Sequence, residues 1–152
     1  MKTLVVYDSV FGNTAKVAAQ IAQTLQTEAI QLDKLEDSML ASADLIVIGS
    51  PTRAFKPTPA MMAWVEGLNF SQLGLVKLAT FDTRIDTHAS KNIMMRFVDL
   101  MGYAAPWMQK KLASKGLKTQ QPAEGFYVEA SPGPLKTGEL ERAAAWATSL
   151  LN

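Results

Sequence analysis

Two stretches of this chain, Leu4 to Tyr7 and Leu45 to Gly49, are apolar residue after residue and rich in β-branched side chains. Successive side chains on a strand point to opposite faces, so such strands have two faces to bury. Only a sheet covered on both sides accommodates them. Between the two runs the period changes: Val17, Ala18, Ile21, Ala22 and Leu25 recur at the spacing of one helix face, predicting an amphipathic helix over residues 14 to 26. Strands of this kind alternating with helices predict a parallel sheet with helices on each face.

The pattern continues to the end of the chain. Ala29 to Leu32 reads as a short second strand and Leu75 to Phe81 as a fourth. A helix is expected from about Thr58 through Met61, Met62, Trp64, Val65 and Leu68, with Pro57 and Pro59 at its entry. Asp82 to Ala89 reads as a polar loop, Asn92 to Met101 as a helix, and Ala105 to Ser114 as another that ends at Gly116. Gly125 to Ala130 reads as a fifth strand. The turn Ser131-Pro132-Gly133-Pro134 then leads to Thr137, the expected cap of a final helix with Leu140, Ala143, Ala144, Ala147 and Leu151 on one side.

Five strands in 152 residues fit the smaller doubly wound α/β form, with strand order 2-1-3-4-5 and a single domain over residues 1–152. In such a sheet a ligand lies beyond the carboxyl ends of the strands, where the strand order reverses. That directs attention to the loops at residues 8–14, 50–58 and 82–89.

Composition narrows the chemistry. The chain has no cysteine, which excludes disulfides, thiol catalysis and iron–sulfur ligation, and His88 is its only histidine, which leaves no His-based zinc cluster. No metal site is expected, and redox chemistry would have to come from a bound organic cofactor. His88 itself is either a proton donor near the ligand or an ordinary loop residue. A net charge of +1 gives no nucleic-acid footprint, and Lys110, Lys111, Lys115 and Lys118 read as a solvated helix face. No apolar run approaches the ~20 residues of a membrane span. Met1 to Tyr7 is too short and wrongly bounded for a signal peptide, so a cytoplasmic location is expected.

The loop after the first strand carries the clearest chemical signal. Ser9-Val10-Phe11-Gly12-Asn13-Thr14 places hydroxyls, an amide and a glycine where a helix begins, and a helix N-terminus offers unpaired N–H groups and partial positive charge. That suits a phosphate. The P-loop and dinucleotide glycine fingerprints are absent. The loop resembles the phosphate loop of the flavodoxin family, T/S-x-T/S-G-N/K-T, at every position but Phe11, where the family usually has a second hydroxyl residue. Losing one donor costs about 1 kcal/mol of phosphate binding. The competing reading of the loop is a plain strand-to-helix turn capped by Asn13.

Gly49-Ser50-Pro51-Thr52-Arg53, after the third strand, is similar to a segment of the flavodoxin-like quinone oxidoreductases of the Trp-repressor-binding-protein type. The resemblance implies FMN, with Ser9, Val10, Phe11, Gly12, Asn13 and Thr14 on its phosphate. It further implies that Pro51, Thr52, Arg53, Ala54 and Phe55 lie at one side of the flavin ring and Phe81, Asp82, Thr83 and Arg84 at the other. Phe55 is either a ring-stacking residue or a helix-entry aromatic. Residues 82 to 89 lack the glycine- or acid-rich segment with an aromatic stacking residue that typical flavodoxins have there.

Two arginines carry a further expectation. Fully reduced FMN is an anion near neutral pH, so Arg53 and Arg84 beside the ring would raise its potential. The alternative is that they are surface charges or pair with Asp82 or Asp86. The function implied is a flavoprotein that transfers electrons to or from a partner protein. An NAD(P)H-dependent quinone or acceptor oxidoreductase, in a homo-oligomer that completes its pocket and using a small electron acceptor, is the alternative. A flavin-free interaction domain on the same fold is the third reading.

Overall fold

The two apolar runs become neighbouring parallel strands. In the computed structural model, which describes residues 1–87, Ile93 and residues 102–152, β1 (Thr3–Tyr7) pairs with β3 (Leu45–Pro51) in the register Val5 to Val47. β2 (Ala29–Gln31) lies on the other side of β1, while β4 (Lys77–Ile85) and β5 (Glu124–Val128) continue outward from β3. The order is β2-β1-β3-β4-β5, with all pairings parallel. This is the flavodoxin-like doubly wound sheet that the sequence predicts.

Helices α1 (Asn13–Thr24), α2 (Asp37–Ala41), α3 (Pro59–Gly67), α4 (Phe70–Leu73), α5 (Ala104–Ser114) and α6 (Glu139–Ser149) cover both faces. The alternation within the strands divides the core. Val5, Val47 and Phe81 point to the face covered by α1 and α6, and Val6, Ile48 and Leu78 to the face covered by α3 and α5. Among the described residues no helix is long and apolar enough to cross a membrane.

The sequence reading and the structure differ in instructive places. Helices α2 and α4 are too short to display a period; α4 is held instead by a capping box, Asn69 Oδ1 accepting the Gln72 N–H at 3.0 Å. Strand β4 runs to Ile85 rather than ending at Phe81. Asp82, Thr83 and Arg84 are therefore strand residues, paired with Ser50 and Pro51 on one side and with Gly125, Phe126 and Tyr127 on the other. Their polarity mimics a loop, but sheet pairing on both flanks satisfies the backbone. The expected helix Asn92 to Met101, apart from Ile93, and His88 lie outside the described residues.

At the last helix the cap is Gly138, at φ 88, and not Thr137. The buried face is Ala143, Trp146, Ala147 and Leu150, while Leu140 and Leu151 are exposed. Trp146 sets that rotation. It meets Phe81 and Phe126 edge-on, the three rings lying 6.0 to 6.2 Å apart between centroids.

The first turn of α6 is anchored electrostatically. Glu139 accepts the Tyr127 N–H at 2.7 Å and two N–H groups of Arg142, at 3.0 and 2.7 Å. Burial pushes this carboxyl up, but the Arg142 guanidinium and the Tyr127 N–H together hold it below the ordinary range. A depressed carboxylate contributes stability above its unfolded pKa and loses it as the pH falls through the folded one. Glu139→Gln should therefore cost about 1–2 kcal/mol at neutral pH. The difference from wild type, followed by urea denaturation, should shrink as the pH is lowered below about 4.

Candidate functional site

The site begins where β1 hands over to α1. Gly12 caps α1 with φ 94, a left-handed conformation that suits glycine, and provides no side-chain cap. Asn13 is thus the first helical residue rather than the cap. The Ser9 hydroxyl accepts the Gly12 N–H at 3.1 Å, and Asp8 accepts the Ser9 N–H at 3.0 Å, so the turn is built from its own side chains. Asp8 also accepts the hydroxyl of Thr58 at 2.5 Å. Thr58 in turn caps α3 and donates its N–H to Ser50 at 3.1 Å. A continuous set of hydrogen bonds thereby ties the loop after β1 to the loop after β3.

Thr14 and Thr83 share a hydrogen bond at 2.8 Å between buried hydroxyls. The pair uses one of its two protons and keeps the other to donate. Asn13 donates its side-chain N–H to the Pro132 carbonyl at 2.6 Å, drawing the turn after β5 against the start of α1. Thr52 accepts the Ala104 N–H at 3.0 Å through its hydroxyl, so its own proton also remains available.

Beside these hydroxyls lies a buried ion pair. Asp82 is fully buried and accepts Arg84 through two N–H groups, both at 2.7 Å, and the Ala105 N–H at 2.8 Å. All three partners are donors, and the two parallel guanidinium N–H groups match the geometry of a carboxylate. Burial pushes the Asp82 carboxyl up, against the opposing pull of Arg84 and Ala105. Burial likewise pulls the Arg84 guanidinium down, and contact with Asp82 more than offsets it. The guanidinium lies 3.8 Å from the Tyr103 ring on one side and against Gly125 on the other, where any Cβ would fall 2.2 Å from Arg84 Nε. Arg84 therefore reaches the site already neutralised, as the pairing alternative holds.

Arg53 is different. It is exposed, forms no ion pair among the described residues, and holds its guanidinium carbon 5.1 Å from the centroid of the half-exposed Phe11 ring. Arg53 and Lys56 close a two-residue hairpin over Ala54 and Phe55, which have φ 47 and φ 72. Two consecutive non-glycine residues in the left-handed region mark a strained rim.

These groups converge on one open cleft at the carboxyl edge. Phe11, Asn13 and Thr14 line it from the first loop, Pro51, Thr52 and Arg53 from the second, and Thr83 and Arg84 from β4. Of the other residues singled out from the sequence, Ser9, Val10, Gly12, Ala54, Phe55 and Asp82 stand behind or beside the lining, and Phe81 is fully buried in the core. The wall that sequence reasoning missed is Ile85, Val128, Ala130, Ser131 and Pro132. The predicted strand order contained the signal, since it puts the end of β5 beside that of β4. A second hollow lies at the opposite edge beside Lys2, Thr27, Ile30 and Ala43. Among the described residues no group of acidic or histidine side chains is arranged to hold a metal.

A family model described as Flavodoxin domain matches residues 4–136. The chain belongs to the flavodoxin domain family. A flavodoxin from the domain Archaea superposes with a TM-score of 0.72 at 18% identity, covering 99% of this chain and 96% of the other. The flavodoxin, WrbA-like protein from Agrobacterium tumefaciens gives 0.68 at 16% identity over 97% and 93%. Rubredoxin oxygen:oxidoreductase from the anaerobe Desulfovibrio gigas gives 0.72 at 13% identity over 97% of this chain but 34% of that one, so this chain spans about a third of its length. These likenesses are of fold. No curated protein matches the chain in sequence.

FMN is the cofactor of the flavodoxin family, and the donor set fits it. The uncapped first turn of α1 supplies N–H groups for a phosphate, and Thr52 and the Thr14–Thr83 pair retain hydroxyl protons for a polar ring edge. Much of this framework rests on Asp82. Asp82→Asn leaves Arg84 buried without a counter-charge and should lower stability by about 3 kcal/mol. The check is the urea midpoint, and a loss below about 1 kcal/mol would show that the pair is solvated.

Proposed function

We propose that this flavodoxin domain protein binds FMN noncovalently in the carboxyl-edge cleft and passes electrons between the flavin and a partner protein. The observation that carries the reading is convergence: the uncapped start of α1 and the ends of β3, β4 and β5 line one cleft. When bound, FMN supplies one- and two-electron transfer. The first-turn N–H groups of α1, with Asn13, hold the phosphate; Ser9 and Gly12 fix the turn that presents them. Pro51 and Thr52 flank one side of the ring, and Thr83 and Arg84 the other. Val10, Ala54 and Phe55 form the outer rim, and Asp82 keeps Arg84 in place.

The Asp82–Arg84 pair brings little net charge to the flavin, which leaves Arg53, among the described residues, as the unpaired cation at the cleft mouth. The reading assigns the protein to the cytoplasm, with no nucleic-acid partner.

Fluorescence titration of FMN with the purified protein tests it. Quenching with a sub-micromolar dissociation constant, about −8 kcal/mol or better, is expected. Anaerobic reduction of the complex should then proceed in two separable one-electron steps. Sustained NAD(P)H oxidation with a quinone would favour the oxidoreductase reading instead. Fluorescence unchanged at micromolar protein would contradict FMN binding and support an interaction domain.

A further inference from the structure

The residue that breaks the family's phosphate loop, Phe11, is also the residue that Arg53 rests on. Phe11 is 52% exposed, at the mouth of the cleft, and the Arg53 guanidinium carbon stands 5.1 Å from its ring centroid. Both side chains line the cleft, Phe11 from the turn that leads into α1 and Arg53 from the hairpin after β3. An exposed arginine normally spreads over many rotamers, and an aromatic face with an attractive quadrupole restricts it. Among the described residues Arg53 has no carboxylate partner. The other cation lining the cleft, Arg84, is committed to Asp82 through two hydrogen bonds. One uncompensated guanidinium is thus held beside an uncapped helix start.

We infer that Arg53, positioned on the Phe11 ring, is the counter-charge for the cofactor's phosphate, taking over from the hydroxyl that Phe11 replaces. The inference rests on the FMN reading and adds to it a charged phosphate contact and a reason for the aromatic residue in the loop. A hydroxyl contributes one neutral hydrogen bond, whereas a guanidinium contributes a charge-assisted, geometrically matched fork. The trade moves phosphate recognition from the loop backbone and hydroxyls toward a side chain on a different loop.

The consequence is a strong preference for FMN over riboflavin, which has the same ring and no phosphate. Fluorescence titrations with both ligands separate the roles of Arg53. In Arg53→Ala, FMN affinity should fall at least tenfold, about 1.4 kcal/mol, while riboflavin affinity stays within twofold. Arg53→Met, which keeps most of the stem and loses the charge, should behave alike, and circular dichroism confirms that each variant is folded. Phe11→Leu should weaken FMN selectively in the wild-type background and have little further effect on top of Arg53→Ala, because its contribution passes through the arginine.

Equal losses for both ligands would place Arg53 at the ring and overturn the inference. No change for either would make it a surface charge, with the same result. Additive effects of the two substitutions would overturn the positioning role of Phe11. Wild-type protein that binds neither ligand would remove the FMN reading itself; wild-type protein that binds FMN with Arg53→Ala unaffected would remove this inference alone.

Discussion

A carboxylate without solvent exposure sits at the carboxyl edge of the sheet, and the shape of the cleft depends on how it is satisfied. Asp82 can be buried as an ion only if its lone pairs are filled, and the chain fills them from two directions: Arg84 on its own strand and the Ala105 N–H at the start of α5. Those contacts orient Arg84 across Gly125 and under the Tyr103 ring and fix the start of α5. The Ala104 N–H on the Thr52 hydroxyl then joins α5 to the end of β3. One buried charge thereby links β3, β4, β5 and α5 at the place where ligands of such sheets bind.

A second set of polar contacts links the other half of the edge. Asp8, Thr58 and Ser50 connect the first and second loops, and Asn13 connects the first to the turn after β5. The rim between them is the strained part. Ala54 and Phe55 both occupy the left-handed region, at a cost on the order of 1–2 kcal/mol each, and the hairpin they form carries Arg53 at its base. Binding residues are commonly carried on loops that a rigid scaffold positions.

The fold was legible because hydrophobic pattern is a bulk property. Val5, Val47 and Phe81 against Val6, Ile48 and Leu78 is the two-faced alternation that a buried parallel sheet requires, and five such strands in a chain of this length point to the smaller doubly wound order. Local polar arrangements were less legible. Asp82 to Arg84 looks like a loop until the partners of Asp82 are known, since a sequence shows the charge but not the Ala105 N–H that satisfies it. Phe81 was grouped with that loop and is instead a core ring, because the strand pairing continues past it. The final helix is turned by one large residue, Trp146, which a count of leucines and alanines overlooks. Within the site, eight of the residues named from the sequence line the cleft; the wall from Ala130 to Pro132 went unnoticed because it is contributed by a turn with no chemical signature of its own.

The central claim is that FMN occupies the carboxyl-edge cleft, and amide NMR spectra recorded during an FMN titration test it most directly. The account predicts the largest shifts at the amides of residues 9–14, 52–54, 83–85, 130, 131 and 133, which surround that cleft, with Lys2, Thr27, Ile30 and Ala43 at the opposite edge unmoved. Shifts concentrated at the opposite edge, or no shifts at saturating FMN, would contradict it.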